Sequence, residues 1–170
     1  MNFKHFVFTL VIVMAVTGCA SEKNSAQTKL RGLWKLDKYE SLDTTTGIWQ
    51  GTQSRLNYTG YIVYDGWGHM STQIQPPGFY HAETMNNPDS LDADKTTRLL
   101  KLELSSFCYF ANYKLSGNGK TIEHVKLSSN IPKEINTTVK RMLAFSGDTL
   151  ILTAFEPIAG LKTRLRWVKQ

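Results

Sequence analysis

An all-β fold is what this sequence predicts over residues 30–170: about eight antiparallel strands closed into a barrel that can hold one small ligand, with one short helix. Three observations predict it. Apolar and polar residues alternate with a period of two through most of the segment. Clusters of Gly, Asp, Asn and Pro interrupt that alternation at short intervals, which pairs sequence neighbours as hairpins. One stretch alone carries leucines at helical spacing. The 141 residues from Leu30 to Gln170 suffice for one core and are too few for two. Closure also removes the exposed edges that an open sheet must protect. A β-sandwich is the competing architecture.

The elements follow in order. Leu30, Gly32, Trp34 and Leu36 alternate with more polar neighbours and open the first strand. Gly60, Ile62 and Tyr64 form a second, which runs into the hairpin signal Asp65-Gly66. After Trp67-Gly68, residues His69 to Gln75 place Met70, Thr72 and Ile74 on one face, and Pro76-Pro77 ends the strand. Residues 78–93 hold Pro88 with Asn86, Asn87 and Asp89 and read as a long loop. Asp94 to Leu104 is the helix, carrying Leu99, Leu100, Leu102 and Leu104. Ser106 to Leu115 is an aromatic strand, and Ser116 to Gly119 a turn. Thr121–Ser128, Thr137–Ser146, Thr149–Phe155 and Leu161–Val168 complete the set, with Gly147-Asp148 as a tight hairpin.

Ahead of the domain stand three zones. Lys4 and the free amine form a basic start, and Phe6 to Val16 is an apolar run with Thr9 as its one polar member. The run is shorter than the roughly 20 residues of a spanning helix and suits a cleaved export signal. It ends in Val16-Thr17-Gly18-Cys19, which resembles the bacterial lipobox. That resemblance implies cleavage after residue 18, a lipid on Cys19 and a membrane anchor. Two or three acyl chains hold stably where one does not. Ala20 and Ser21 follow, with no Asp, which by analogy favours an outer membrane, facing the periplasm, where the host has two membranes. The cell envelope is therefore the expected location. Residues 19–29 contain no large apolar side chain and read as a lipidated Cys with a flexible tether. Cys108 is then the one remaining thiol, so no internal disulfide is expected; between Phe107 and Tyr109 it reads as a buried, inert side chain.

Several motifs together resemble the family of small lipocalin-like barrels. Gly32-Leu33-Trp34 matches the Gly-x-Trp that opens the first lipocalin strand. Gly60-Tyr61-Ile62-Val63-Tyr64-Asp65-Gly66 with His69-Met70-Ser71, the aromatic Tyr109-Phe110-Ala111-Asn112-Tyr113, the His-bearing Thr121 to His124, the strand of Arg141 and the closing Leu165-Arg166-Trp167 follow in the family's order. The resemblance spans Leu30 to Val168 and implies a barrel with a cavity; it implies no reaction. Two departures stand out: Trp67-Gly68 lengthens the Asp-Gly turn, and Asn112 replaces a small residue.

The residues able to carry chemistry are few. Val139, Arg141, Leu143 and Phe145 share one strand face, so Arg141 sits among side chains that look inward. A buried guanidinium must be paired, either with an internal acid such as Glu123 or Asp65, or bidentately with a ligand carboxylate. His124 shares a face with Ile122 and Lys126, opposite Val125 and Leu127, which leaves its facing open. Pointing inward, it could be a satisfied core histidine, a partner of Arg141 in holding an anionic head group, or an acid–base group. Among the many aromatics, Trp34 and Trp167 read as core, while tyrosines suit a pocket because a buried hydroxyl needs a partner. The candidate ligand-binding set is Tyr64, Met70, Tyr109, Tyr113, His124, Arg141 and Phe145.

Other classes lack support. The mature chain keeps 19 basic against 14 acidic residues, net +5, without a basic run, so no nucleic-acid partner is expected. Its histidines, His69, His81 and His124, lack metal-ligand spacing, so neither metal nor cofactor is expected. Gly119-Lys120-Thr121 has no matching first glycine at position 114 and precedes a strand, which excludes a phosphate loop. No nucleophile elbow occurs. The expected function is binding of a small apolar or amphipathic molecule. An isomerase, cyclase or hydrolase using His124 is the alternative, and an envelope scaffold with a filled barrel is the third. An open apolar cavity favours the first, an inward His124 with a strongly shifted pKa the second, a plugged interior the third.

Overall fold

Alternation decides which side of a sheet each residue takes, and here it produces a cylinder. The computed structural model describes residues 22–81, 92–157 and 160–170. Cys19, the signal segment and most of the 78–93 loop lie outside the described residues. The strands are β1 (Gly32–Leu42), β2 (Trp49–Gly51), β3 (Thr59–Tyr64), β4 (His69–Gln75), β5 (Phe107–Leu115), β6 (Thr121–Ser129), β7 (Thr138–Ser146), β8 (Thr149–Ala154) and β9 (Thr163–Lys169). All pairings are antiparallel between sequence neighbours along β3 to β9, and β1 pairs with both β3 and β9, which closes an eight-stranded barrel. The short β2, absent from the sequence reading, pairs only with Glu40–Leu42 of β1.

The period-two residues fill the interior: Trp34 and Leu36, Ile62 and Tyr64, Met70 and Ile74, Tyr113 and Leu115, Ile122, Leu143, Leu150 and Leu152, Leu165 and Trp167. At about 25 cal/mol per Å² of apolar surface removed from water, this core dominates the stability. Two irregularities re-aim side chains. In β1 the register against β9 shifts between Leu36 and Lys38. The inward set therefore moves from Trp34 and Leu36 to Tyr39. In β6 Ile122, His124 and Lys126 alternate inward in regular register, and the shift between Lys126 and Ser128 then moves the inward position to Ser129.

Two ends differ. At one, the hairpins β3–β4, β5–β6 and β7–β8 meet helix α1, residues 22–30, which leads directly into β1. This helix corrects the expectation of a flexible tether. Its sequence is polar because Ala26 and Leu30 are the only apolar side chains it turns toward the barrel; Leu30 is fully buried and its carbonyl accepts the Trp34 indole N–H at 2.8 Å. Gln27 donates to the Gly66 carbonyl at 3.0 Å. So α1 seals this end. At the other end, helix α2 (Ala93–Ser105), capped by the Asp92 carboxylate on the Lys95 N–H, matches the sequence expectation within a residue at each terminus. None of its side chains is buried. Leu100 and Leu104 are exposed, so α2 lies outside the barrel. Cys108 is half-buried rather than buried: Phe107 and Tyr109 take the inward positions and turn it outward.

The lengthened turn after β3 has a cause. One Asp65 oxygen accepts the backbone N–H groups of Trp67, Gly68 and His69 at 2.7, 3.1 and 3.0 Å, and the other meets His69 Nδ1 at 2.6 Å. Slight burial pushes this carboxyl up, but the hydrogen bonds from the His69 backbone and ring and from Trp67 pull it further down, to about 2. Gly66 and Gly68 supply the positive φ, +89° and +113°, that the turn requires.

Candidate functional site

The open end leads into a cavity of about 600 Å³. Its apolar wall is built by inward residues of most strands, among them Ile62, Ile74, Phe107, Val139, Leu152 and Leu165. Tyr109, His124, Lys126 and Arg141 bring polar groups to it from β5, β6 and β7, with Glu134 from the 3-10 turn Pro132–Glu134 that follows β6, while Arg55, Thr72 and Glu156 line other parts of the wall. Period-two alternation sets this gathering, because Tyr113 pairs with His124 and His124 with Val139 across the three strands.

His124 faces inward, which resolves the ambiguity of its strand, and it is only 1% exposed. Both ring nitrogens are engaged: Nε2 with the Tyr64 hydroxyl at 3.0 Å and Nδ1 with the Tyr109 hydroxyl at 3.2 Å. Burial, then Arg141, then Lys126 push its pKa down to about 3, so the ring is neutral. Burial likewise pushes the Tyr109 hydroxyl up to about 12, and holds Tyr64 well above its ordinary range. All three groups are therefore uncharged at neutral pH.

Hydrogen accounting then assigns the direction of the chain. Among the described residues the buried Tyr64 hydroxyl has His124 as its one hydrogen-bond partner, so its hydrogen goes to Nε2 or stays unsatisfied. Nδ1 then carries the ring hydrogen and donates it to the Tyr109 oxygen. The Tyr109 hydrogen is left over, and Tyr109 lines the cavity. The relay Tyr64–His124–Tyr109 thus presents one donor to whatever enters.

Arg141 lies on the same cavity wall, half-buried. Among the described residues no carboxylate pairs with it; its one hydrogen bond runs to the Lys140 carbonyl at 3.5 Å. Both acids considered from sequence are engaged elsewhere, Glu123 with Lys140 at 3.5 Å and Asp65 with His69. Lys126 is different. It is 5% exposed, is ion-paired with Glu134, and has its ammonium 4.8 Å from the Tyr109 ring centroid. Trp167, at the wall, keeps a buried indole N–H without an acceptor among the described residues.

Of the seven candidate residues, the cavity wall includes Tyr109, His124 and Arg141. Tyr64 stands behind His124. Met70, Tyr113 and Phe145 lie outside the cavity lining, because the packed core nearer α1 takes them in: Tyr113 packs edge-on against Tyr64 at 5.1 Å, and Phe145 meets Trp34 at 6.1 Å and Lys29 at 5.1 Å. Sequence reasoning missed Lys126 and Glu134 as site groups. The signal was present in Lys126 sharing the His124 face. It also missed Arg55, which bonds the Tyr58 hydroxyl at 2.9 Å and the Ser105 carbonyl at 3.2 Å on the rim.

A family model described as a lipocalin-like domain matches residues 31–168. No curated protein and no solved structure matches the chain.

Proposed function

This chain belongs to the lipocalin-like domain family, and on that premise we propose that its barrel binds a small amphipathic molecule with an acidic head group. The observation that carries the reading is Arg141, a cation on the wall of a largely apolar cavity with no carboxylate partner among the described residues. The apolar part of the ligand lies against Ile62, Ile74, Phe107 and Leu165. Its carboxylate or similar group accepts from Arg141 and from the Tyr109 hydroxyl. A volume of about 600 Å³ suits such a molecule. The protein works in the cell envelope, held to a membrane by lipid on Cys19.

The enzyme alternative asks His124 to exchange protons near neutral pH. Its pKa is indeed strongly shifted, but downward to about 3, and both nitrogens are occupied. That suits a ring that orients Tyr109 better than a general acid or base. The scaffold alternative needs a filled interior, whereas this one holds a cavity.

Native mass spectra of residues 20–170, recorded as purified and after incubation with fatty acids and membrane extract, test the proposal. A retained mass is expected. Arg141→Ala should weaken its binding about 10- to 100-fold, the worth of a charge-assisted hydrogen bond of about 1.5–3 kcal/mol. A clean apoprotein mass under all conditions overturns it.

A further inference from the structure

The end sealed by α1 carries its own chemistry, distinct from the cavity. The start of α1 touches the β5–β6 turn: a Cβ added to Gly119 would stand 2.8 Å from Ala26 Cβ and 3.2 Å from the Glu22 carbonyl oxygen. Residue 22 therefore lies at the sealed end. Cys19 precedes it by three residues, a reach of at most about 11 Å even when fully extended. On the same end, Trp67 caps the β3–β4 hairpin, 80% exposed yet held in place by the three backbone hydrogen bonds to Asp65. An exposed indole on a rigid turn gains by settling at the head-group level of a bilayer, where its apolar ring and its N–H are both satisfied.

Cations share this end with it. Arg31 lies 5.6 Å from the Trp67 ring centroid. Lys23, Lys29, Lys120 and Lys169 share this end, and none of the five has a carboxylate partner among the described residues. Lys169 donates only to the Lys29 and Arg31 carbonyls, at 3.0 and 2.7 Å. Elsewhere on the barrel Lys126, Lys140, Arg164 and Arg166 each meet an acid, while Arg55 and Arg141 at the mouth meet none among the described residues. The acids at the sealed end are Glu22, Asp148 and Asp65, the last engaged by His69. Unpaired cations beside an exposed tryptophan are the complement of anionic lipid head groups.

We propose that the sealed end is a lipid-facing surface, so that the barrel stands on its membrane with the mouth turned away. The proposal rests on the anchoring at Cys19 stated above, and the test separates the two. The full chain is purified from membranes, its intact mass is recorded, and it is reconstituted into phosphatidylethanolamine–phosphatidylglycerol vesicles with brominated acyl chains. Bromine should quench part of the tryptophan emission, and Trp67→Phe, a change at an exposed position, should remove most of the quenched part. With lipid present on Cys19, quenching that is absent, or that survives in Trp67→Phe and vanishes in Trp49→Phe, overturns the orientation and leaves the anchoring intact. The exposed Leu100 and Leu104 of α2 would be the contact in that mouth-first case. A chain without lipid on Cys19 that stays off the vesicles overturns both.

Discussion

Burying His124 between two tyrosine hydroxyls disfavours its protonated form far more than its neutral one, and the effect extends to folding. The unfolded chain takes up this proton near pH 6.5, the folded chain only near 3. Between those values the unfolded state binds more protons. The histidine's neutral burial is therefore without penalty above pH 6.5, and stability falls as pH drops toward 3, by at most about 1.4 kcal/mol per pH unit. Asp65, held near 2, stabilises the fold above its ordinary 3.8 and loses that effect only below it. The two windows overlap only below pH 3.8, so above it the histidine acts without Asp65. Urea unfolding midpoints should decline from pH 6.5 to pH 4 in the parent and stay nearly flat in His124→Gln, whose amide can bridge both hydroxyls. This residue was identifiable in the sequence as chemistry-bearing, but its facing was not: Ile122 and Lys126 share its side, while Val125 and Leu127 make the other the more apolar. The tie was broken across strands, by pairing with Tyr113 of β5 and Val139 of β7, which the pattern of a single strand does not contain.

Hairpins of polar-alternating strands with Asp-Gly, Gly-Asn-Gly or Gly-Asp at their tips identify themselves, which made six of the eight barrel strands legible, and alternation around Trp34 and Trp167 made β1 and β9 so. Elements that lack a period of their own could not. Helix α1 puts two apolar side chains, Ala26 and Leu30, against the barrel, too few to write an amphipathic pattern into nine residues. The three-residue β2 exists because β1 runs on past the bulge to Leu42 and offers an edge. Close approach between strands is equally silent in a pattern, yet it sets a sharp requirement at Gly60. A Cβ there would lie 2.3 Å from the Gln73 carbonyl oxygen and 2.8 Å from Ile74 Cα, both backbone atoms of β4. Gly60→Ala should therefore part β3 from β4 and destabilise the domain by about 1–3 kcal/mol, read as a lowered denaturant midpoint.

At the scale of the whole molecule, closure depends on the last strand. β9 pairs with β8 on one side and with β1 on the other, joining Leu165 to Leu152 and Trp167 to Leu36. A chain ending at Lys162 should lose its cooperative thermal transition rather than unfold a little earlier, because two edges and the Trp34–Trp167 interior would open together. The barrel class was legible because strand number, hairpin order and a closing Trp-bearing strand agree. The set of residues lining the cavity was not, because a barrel's interior divides into a packed part and a hollow part by which side chains happen to meet. Met70, Tyr113 and Phe145 have the same inward pattern as Tyr109 and Arg141, and only their distance from α1 separates them. That helix has a last consequence. A vessel stoppered at its base has a single doorway, so cargo must leave by the route it entered, last in and first out. With the stoppered base resting on the bilayer, delivery would go to whatever approaches from the far side and never straight down into the membrane beneath.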